Sequence, residues 1–167
     1  MDWAEEQAEA SGVPEKAGGI LLKAPEPAPC QQRLLLAEDD AETRRLLATA
    51  LRRQGFEVVE ACDGAELLEH LSAAVDEHRL AARGIAVRKG AAYDAVIADN
   101  QLPGLCGLDV LAALRPARCP VPFILITACA DEDTRAKARA LGAAAFLEKP
   151  LSIDDLQAAV RTAFEPH

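Results

Sequence analysis

Aromatic residues are scarce in this sequence of 167 residues, where they account for 4% of the chain with one tryptophan and one tyrosine. Hydrophobic residues nevertheless account for 50%, so the core has to be built from alanine and branched aliphatic side chains. This composition favours a helix-rich globular domain. The length suits one domain with a tail, and two full domains would be cramped in it.

Positive charge is also in short supply, with 18 lysines and arginines against 27 aspartates and glutamates and a formal net charge of −9. This balance argues against nucleic acid binding and against docking to an anionic membrane, because both need a basic surface. No apolar run approaches the length of a membrane span, and Met1 to Glu6 lacks the positive start of a secretory signal. We therefore expect a cytoplasmic protein.

The cysteines and histidines show no spacing that indicates a disulfide framework or a zinc site. The five cysteines are odd in number, and none forms a C-x-x-C pair. The three histidines, at positions 70, 78 and 167, also show no metal-ligand spacing. Metal-binding or redox chemistry at these residue types is not predicted.

Residues 1–32 differ in composition from the rest of the chain. They contain Pro14, Pro25, Pro27 and Pro29, and the stretch 24–29 is expected to be extended and polyproline-like. We predict a disordered tail or linker here, and a segment that folds on a binding partner is the alternative. The globular domain is predicted over residues 33–167.

Five strand patterns, each followed by a helix pattern, occupy the chain from Arg33 onward. The predicted strands are residues 34–37, 56–61, 95–98, 123–127 and 145–148, and the predicted helices are residues 43–54, 65–75, 108–114, 132–141 and 153–164. Because these strands are apolar throughout, they fit a parallel sheet that is covered on both faces. Right-handed crossovers then make the sheet doubly wound.

Several helix ends carry recognisable cap residues. Asp40 is well placed to cap the first helix, and Ser152 with Asp155 forms a capping box at the start of the last one. Gly55 and Gly142 follow the first and fourth helices as C-terminal caps.

Polar side chains follow four of the five predicted strands. Glu38 and Asp39 follow the first strand, Asp99 follows the third, Thr127 ends the fourth, and Lys149 follows the fifth. Ligands of such sheets bind outside the carboxyl ends of the strands. These side chains are therefore expected to form one site.

The chemistry of this group of residues is constrained by its charges. Glu38, Asp39 and Asp99 bring three negative charges, Lys149 returns one positive charge, and a hard divalent cation such as Mg²⁺ suits the carboxylate oxygens. Thr127 and Lys149 offer groups that hold phosphoryl oxygens. A carboxylate beside Mg²⁺ can itself act as a nucleophile and form an aspartyl phosphate.

The sequence resembles the receiver domain of bacterial two-component response regulators from about Arg33 to Phe164. The resemblance rests on LLLAEDD at residues 34–40, DAVIADNQLPG at 94–104, ITA at 126–128 and FLEKP at 146–150. Each motif alone is weakly specific, whereas their order and spacing together are highly specific. The resemblance implies a flavodoxin-like, CheY-like α/β fold, with strand order 2-1-3-4-5 and helices on both faces of a five-stranded parallel sheet.

The resemblance also implies a phosphoacceptor and a metal site. Asp99 matches the phosphoacceptor, since a Pro-Gly pair follows four residues later. Glu38 and Asp39 match the acid pair that holds Mg²⁺ together with Asp99, with Asp39 as the direct ligand. The backbone carbonyl of Gln101 matches a further metal ligand.

The remaining matched positions concern the phosphoryl group and the switch. Thr127 matches the residue that bonds the phosphoryl group, and Lys149 matches the lysine of the site. Pro150 matches a proline that is frequently cis. Phe146 stands where the family carries an aromatic switch residue, although it lacks the hydroxyl of a tyrosine.

Each of these residues also has a purely structural interpretation. Asp99 could merely end a strand, Thr127 could be a β-branched strand residue, and Lys149 could be solvated. Phe146 could be part of the core.

Three functional classes follow from these interpretations. The first is a phosphoacceptor that receives its phosphoryl group from a histidine kinase or phosphotransfer protein and loses it slowly by hydrolysis. Such a protein is not an enzyme with its own substrate. The second is a pseudo-receiver, which binds proteins without phosphorylation. The third, a haloacid-dehalogenase-like phosphatase, would carry a second aspartate two residues after Asp99, where this chain has Gln101.

The link between the second helix and the third strand is longer than the family pattern by roughly a dozen residues, around positions 76–92. One interpretation continues the helix to Ala82, so that the locally basic loop from Gly84 to Ala92 projects from the sheet end opposite Asp99. This segment is either a tolerated surface insertion or a docking element.

The output is expected to be a protein contact through the face of helix four, strand five and helix five. Only three residues follow Phe164, so no output domain is expected after it unless the chain is the receiver portion of a larger hybrid protein.

Overall fold

The computed structural model describes residues 31–82, 93–115 and 121–165. Strands and helices alternate along the described chain: β1 (Arg33–Ala37), α1 (Ala41–Arg52), β2 (Glu57–Ala61), α2 (Gly64–Ala82), β3 (Ala95–Asp99), α3 (Gly107–Leu114), β4 (Phe123–Thr127), α4 (Glu132–Ala140), β5 (Ala145–Glu148) and α5 (Ile153–Ala163).

The five strands form one sheet in the order β2-β1-β3-β4-β5, and all four neighbouring pairs are parallel. This confirms the predicted doubly wound α/β fold. The physical reason lies in the apolar strands: every residue of β3 and β4 is buried, as expected when helices cover both faces of a parallel sheet.

Successive residues of each strand point to opposite faces, so the sheet divides the core into two layers. In β1, Leu35 packs in the layer under α2 and α3, whereas Leu34 and Leu36 pack in the layer under α1 and α5. Helix α5 supplies Leu156 and Val160 to the second layer. Burying each such aliphatic side chain stabilises the fold by about 1.5–3 kcal/mol.

The caps predicted from the sequence are present. The Asp40 side chain accepts a hydrogen bond from the Thr43 N–H at 2.7 Å. Helix α1 therefore begins at Ala41, two residues earlier than predicted. Ser152 and Asp155 form the predicted capping box. Gly55 and Gly142 follow α1 and α4 with positive φ values of 93° and 67°, a conformation that costs glycine little.

Helix α2 continues to Ala82, beyond the Val75 at which the apolar pattern weakens. The continuation to Ala82 that the sequence left open is thus present, while the expected loop at Gly84 to Ala92 lies outside the described residues. The predicted tail lies outside them as well, except for residues 31 and 32. Among the helices that the structure describes, none is long and apolar enough to cross a membrane.

Candidate functional site

The register of the sheet brings the predicted site residues to one edge. Ala37 of β1 is paired with Ala98 of β3, so Glu38 and Asp99 follow paired positions of neighbouring strands. Thr127 is the last residue of β4, and its carbonyl accepts the Lys149 N–H at 2.8 Å. Four strands thus end in polar residues on the same side of the sheet.

The three predicted acidic residues form a cluster. Glu38, Asp39 and Asp99 each offer one carboxylate oxygen, and these oxygens lie within 4.8 Å of one another. Glu38 and Asp99 are buried, with 1% and 3% of their surface exposed, whereas Asp39 is exposed. The cluster is therefore walled on its inner side by protein and open to solvent at Asp39.

Lys149 bridges the two buried carboxylates. Its Nζ lies 2.8 Å from Oε2 of Glu38 and 2.5 Å from Oδ2 of Asp99. The other Asp99 oxygen, Oδ1, accepts the backbone N–H of Gln101 at 2.9 Å. The Asp99 carboxylate is thus oriented by one charged donor and one neutral donor.

Burial and the charge of neighbouring groups act in opposite directions on the pKa values of Glu38 and Lys149. Burial raises the pKa of the Glu38 carboxyl, and the Lys149 ammonium offsets this only in part, while the charge of Asp99 adds to the rise. Burial by itself lowers the pKa of Lys149, but hydrogen bonds and charges from Asp99 and Glu38 outweigh it, so the pKa of Lys149 is raised. The lysine is held in its charged form by the acids around it.

The donor set fits a hard divalent cation. With all groups ionised, three carboxylates against one ammonium leave two negative charges uncompensated. Carboxylate oxygens are the ligands that Mg²⁺ prefers, and Mg²⁺ usually keeps several waters, which suits a cluster open on the Asp39 side. Glu38, Asp39 and Asp99 are the residues that would hold such an ion.

Thr127 is buried, and its hydroxyl is engaged within its own loop. It donates to the Cys129 carbonyl at 3.2 Å and accepts the Cys129 N–H at 3.1 Å. The sequence pattern predicted Thr127 at the end of the strand. It did not predict the hydrogen bonds of its hydroxyl, because these depend on the fold of the following loop.

Phe146 lies on β5, partly buried, and is paired with Leu125 of β4. Since Thr127 is two residues beyond Leu125, Phe146 and Thr127 lie on the same face of the sheet. The Arg135 guanidinium of α4 stands 5.0 Å from the centre of the Phe146 ring and 3.8 Å from the Glu148 carboxylate. Helix α4 is therefore tied to β5 through the ring at the predicted switch position.

One residue of the site was missed by the sequence patterns. The Arg44 guanidinium of α1 donates to the backbone carbonyls of Glu38 and Asp39, at 2.6 and 3.1 Å. The sequence did contain a hint of this contact. An arginine near the start of a helix is disfavoured by the helix dipole, so its presence there suggests an interaction outside the helix. The sequence did not show which carbonyls it would reach.

Residues 34–161 match the model of the family described as the response regulator receiver domain. Among curated proteins, the transcriptional regulatory protein TcrA of Mycobacterium tuberculosis is 36% identical over 129 residues, which cover 77% of this chain and 44% of TcrA. The transcriptional regulatory protein PdtaR of the same organism is 35% identical over 79% of this chain and 56% of PdtaR. The chain thus spans about half the length of these relatives.

Solved structures show the same fold. The receiver domain of a Francisella response regulator superposes with a TM-score of 0.64 at 23% identity, over 80% of this chain and 97% of that one. A CheY-like receiver domain protein from Methanospirillum hungatei superposes with a TM-score of 0.64 at 21% identity, over 78% of this chain and 91% of that one.

Proposed function

This chain belongs to the response regulator receiver domain family, and from that premise we propose that it is the phosphoacceptor of a two-component system or phosphorelay, with Asp99 as the residue that receives the phosphoryl group. The observation that carries the proposal is the bridge of Lys149 between Glu38 and Asp99 inside a cluster of three carboxylates. In the proposal, residues 33–167 form the receiver domain, with the segment around 76–92 as an insertion.

The proposed reaction moves one phosphoryl group from nitrogen to oxygen. An Asp99 carboxylate oxygen attacks the phosphorus of a phosphohistidine on a histidine kinase or phosphotransfer protein. The P–O bond forms while the P–N bond breaks. The electron pair of the P–N bond stays on the imidazole nitrogen, and a proton on the imidazole ring leaves the histidine neutral. The acyl phosphate is later hydrolysed by water, so the domain is proposed to be a phosphoacceptor with slow loss of the group.

The side chains around Asp99 have separate parts in this proposal. Lys149 neutralises negative charge that develops on the phosphoryl oxygens, and the Gln101 N–H keeps the carboxylate oriented. Glu38 and Asp39 would hold Mg²⁺ together with Asp99 and the Gln101 carbonyl. The ion would supply charge neutralisation at the phosphoryl oxygens.

We further propose that the output is a protein contact made by α4, β5 and α5, and that this domain itself contacts no nucleic acid. The support is the connection between the site and α4: Thr127 lies beside Asp99 on the sheet edge and on the same face as Phe146, whose ring is covered by Arg135. If the phosphoryl group takes the Thr127 hydroxyl from Cys129, the loop before α4 must rearrange.

Intact-mass spectrometry after incubation with acetyl phosphate and Mg²⁺ tests the central proposal. The wild type should gain one phosphoryl group and Asp99→Asn none. Asp94→Asn is a matched control, because Asp94 precedes the same strand at its opposite end, where it accepts the Arg33 N–H. It should be labelled like the wild type.

Two results would contradict the assignment. A labelled Asp99→Asn protein would move the acceptor to another residue. A wild type that stays unlabelled while it binds a partner protein would instead favour a receiver that acts as an adaptor without phosphorylation.

A further inference from the structure

Arg44 binds the backbone of the acid loop, the residues Glu38 to Asp40 that join β1 to α1. Its Nη1 donates to the carbonyl oxygens of Glu38 and Asp39, and its Nε lies 3.5 Å from Oε2 of Glu60 on β2. Only 19% of the Arg44 side chain is exposed. One guanidinium therefore connects α1, the loop after β1 and the end of β2.

The backbone of the acid loop is anchored at both ends, and Arg44 binds the carbonyls between these anchors. The Glu38 N–H donates to the Ala61 carbonyl at 3.2 Å, and the Asp40 carbonyl accepts the Arg44 N–H at 2.9 Å as the first bond of α1. Between these two anchors, the carbonyls of Glu38 and Asp39 accept hydrogen bonds from the Arg44 side chain. The orientation of these two peptide groups determines where the Glu38 and Asp39 carboxylates project.

The charge of Arg44 supports the same role. Two carboxylates on consecutive residues repel each other and repel Asp99, and a metal ion between them would be held best if they were already converged. The Arg44 guanidinium, bound to the two backbone carbonyls, brings a positive charge close to these acids and offsets part of their repulsion. Its planar set of donors serves two carbonyls and a carboxylate at once, which a lysine ammonium does not match.

We propose that Arg44 is a positioning residue of the phosphorylation site, which holds the Glu38–Asp39 backbone so that both carboxylates converge with Asp99 on a divalent cation. This inference rests on the proposed function, since it assumes that the acid cluster binds Mg²⁺. Arg44 touches neither the phosphoryl group nor the metal. It acts through the two peptide groups that it holds.

Helix α1 offers a matched control in Arg52. Arg52 also pairs with Glu60, with its Nη2 at 2.8 Å from Oε1, and it donates to the Val58 carbonyl at 2.7 Å. It shares with Arg44 the helix, the charge and the acidic partner, but its hydrogen bond goes to the Val58 carbonyl of β2, whereas Arg44 binds the acid loop. A variant of Arg52 therefore reports the loss of the α1–β2 connection alone.

The experiment compares the wild type, Arg44→Lys, Arg44→Gln and Arg52→Lys by titration with Mg²⁺, followed through backbone amide NMR shifts of the metal-site residues. Both Arg44 variants should bind Mg²⁺ about tenfold more weakly or worse, the usual effect of removing a group that orients metal ligands. Arg52→Lys should keep the wild-type affinity. Without metal, the Glu38 amide should exchange its hydrogen faster in the Arg44 variants only.

Labelling with acetyl phosphate adds a second readout. At low Mg²⁺ the Arg44 variants should be labelled more slowly than the wild type, and at saturating Mg²⁺ the rate should recover, because the phosphoacceptor and Lys149 are intact. Wild-type Mg²⁺ affinity in Arg44→Lys, or an equal loss in Arg52→Lys, would overturn the positioning role. A wild type that binds no Mg²⁺ would instead overturn the proposed function itself.

Discussion

The ammonium of Lys149 lies 2.5 Å from Oδ2 of Asp99, although 50 residues separate the two in the sequence. The contact exists because β3 and β5 both end at the carboxyl edge of the sheet, with β4 between them. Lys149 also reaches Oε2 of Glu38, beyond β3 at the end of β1. A single side chain therefore connects the ends of three strands.

Lys149→Met should slow labelling by acetyl phosphate roughly a hundredfold, the usual cost of removing one preorganised charge donor. It should also lower stability by about 1–3 kcal/mol, because Glu38 and Asp99 would remain buried without their counter-charge. Labelling kinetics and urea melts measure the two effects. Lys137→Met, on the exposed side of α4, is the control and should change neither. An unchanged labelling rate in Lys149→Met would remove the lysine from the mechanism.

Mg²⁺ should raise the melting temperature of the wild type, because a cation relieves the repulsion among Glu38, Asp39 and Asp99. At a concentration a hundred times the dissociation constant, the gain should be about 2.7 kcal/mol. Asp39→Ala should lose this gain, whereas Asp154→Ala, an exposed acid of α5, should keep it. Coinciding melts of the wild type with and without Mg²⁺ would argue against a metal site.

Ser152→Ala should destabilise the protein by about 1 kcal/mol through loss of the α5 cap. The effect should depend on pH, since hydrogen bonds from Ser152 hold the pKa of Asp155 below its usual value of 3.8. A carboxyl whose pKa is lowered by folding contributes stability above its unfolded pKa and loses it as the pH falls through the folded pKa. Thermal melts should show a constant difference from pH 5 to pH 7 that narrows below about pH 3.8. A difference that grows in acid would contradict the capping geometry.

A phosphoryl mimic such as beryllofluoride should change amide hydrogen exchange at Cys129, along α4 and at Phe146. The reason is that the Thr127 hydroxyl would exchange its Cys129 partner for the new acceptor on Asp99. Thr127→Val keeps the shape of the side chain without the hydroxyl, so it should bind the mimic with little change in exchange at α4. Exchange changes confined to residues 71–93 would instead indicate the region of the insertion as the output surface.

Deletion of residues 83–90 should leave the labelling rate within a small factor of the wild type. The deleted segment follows Ala82, the last residue of α2, and precedes Tyr93, which comes before the amino end of β3, whereas Asp99 is at the carboxyl end of that strand. The length of this strand is about 16 Å at roughly 3.3 Å per residue, twice the screening length of about 8 Å at physiological salt. Lost labelling in a shortened protein that still melts cooperatively would show that the insertion reaches the site or recruits the donor.

The fold and the members of the site could be predicted from the sequence because both follow from local patterns. Apolar runs of four or five residues specify buried parallel strands, and parallel strands place whatever follows them at one edge. Glu38, Asp99 and Lys149 therefore come together once the strand order is known. The caps at Asp40 and Ser152 involve residues three positions apart, and they too were visible in the sequence.

The side-chain partners within that site were decided only by the tertiary structure. Three contacts depend on how the helices and loops pack on the sheet. Lys149 bridges both buried acids, the Thr127 hydroxyl is held by Cys129, and Arg44 reaches the Glu38 and Asp39 carbonyls. A sequence pattern fixes where a residue enters the fold, since backbone periodicity is local. It does not fix which of several nearby acceptors a long side chain chooses, because that choice depends on burial and charge contributed by segments far away in the chain.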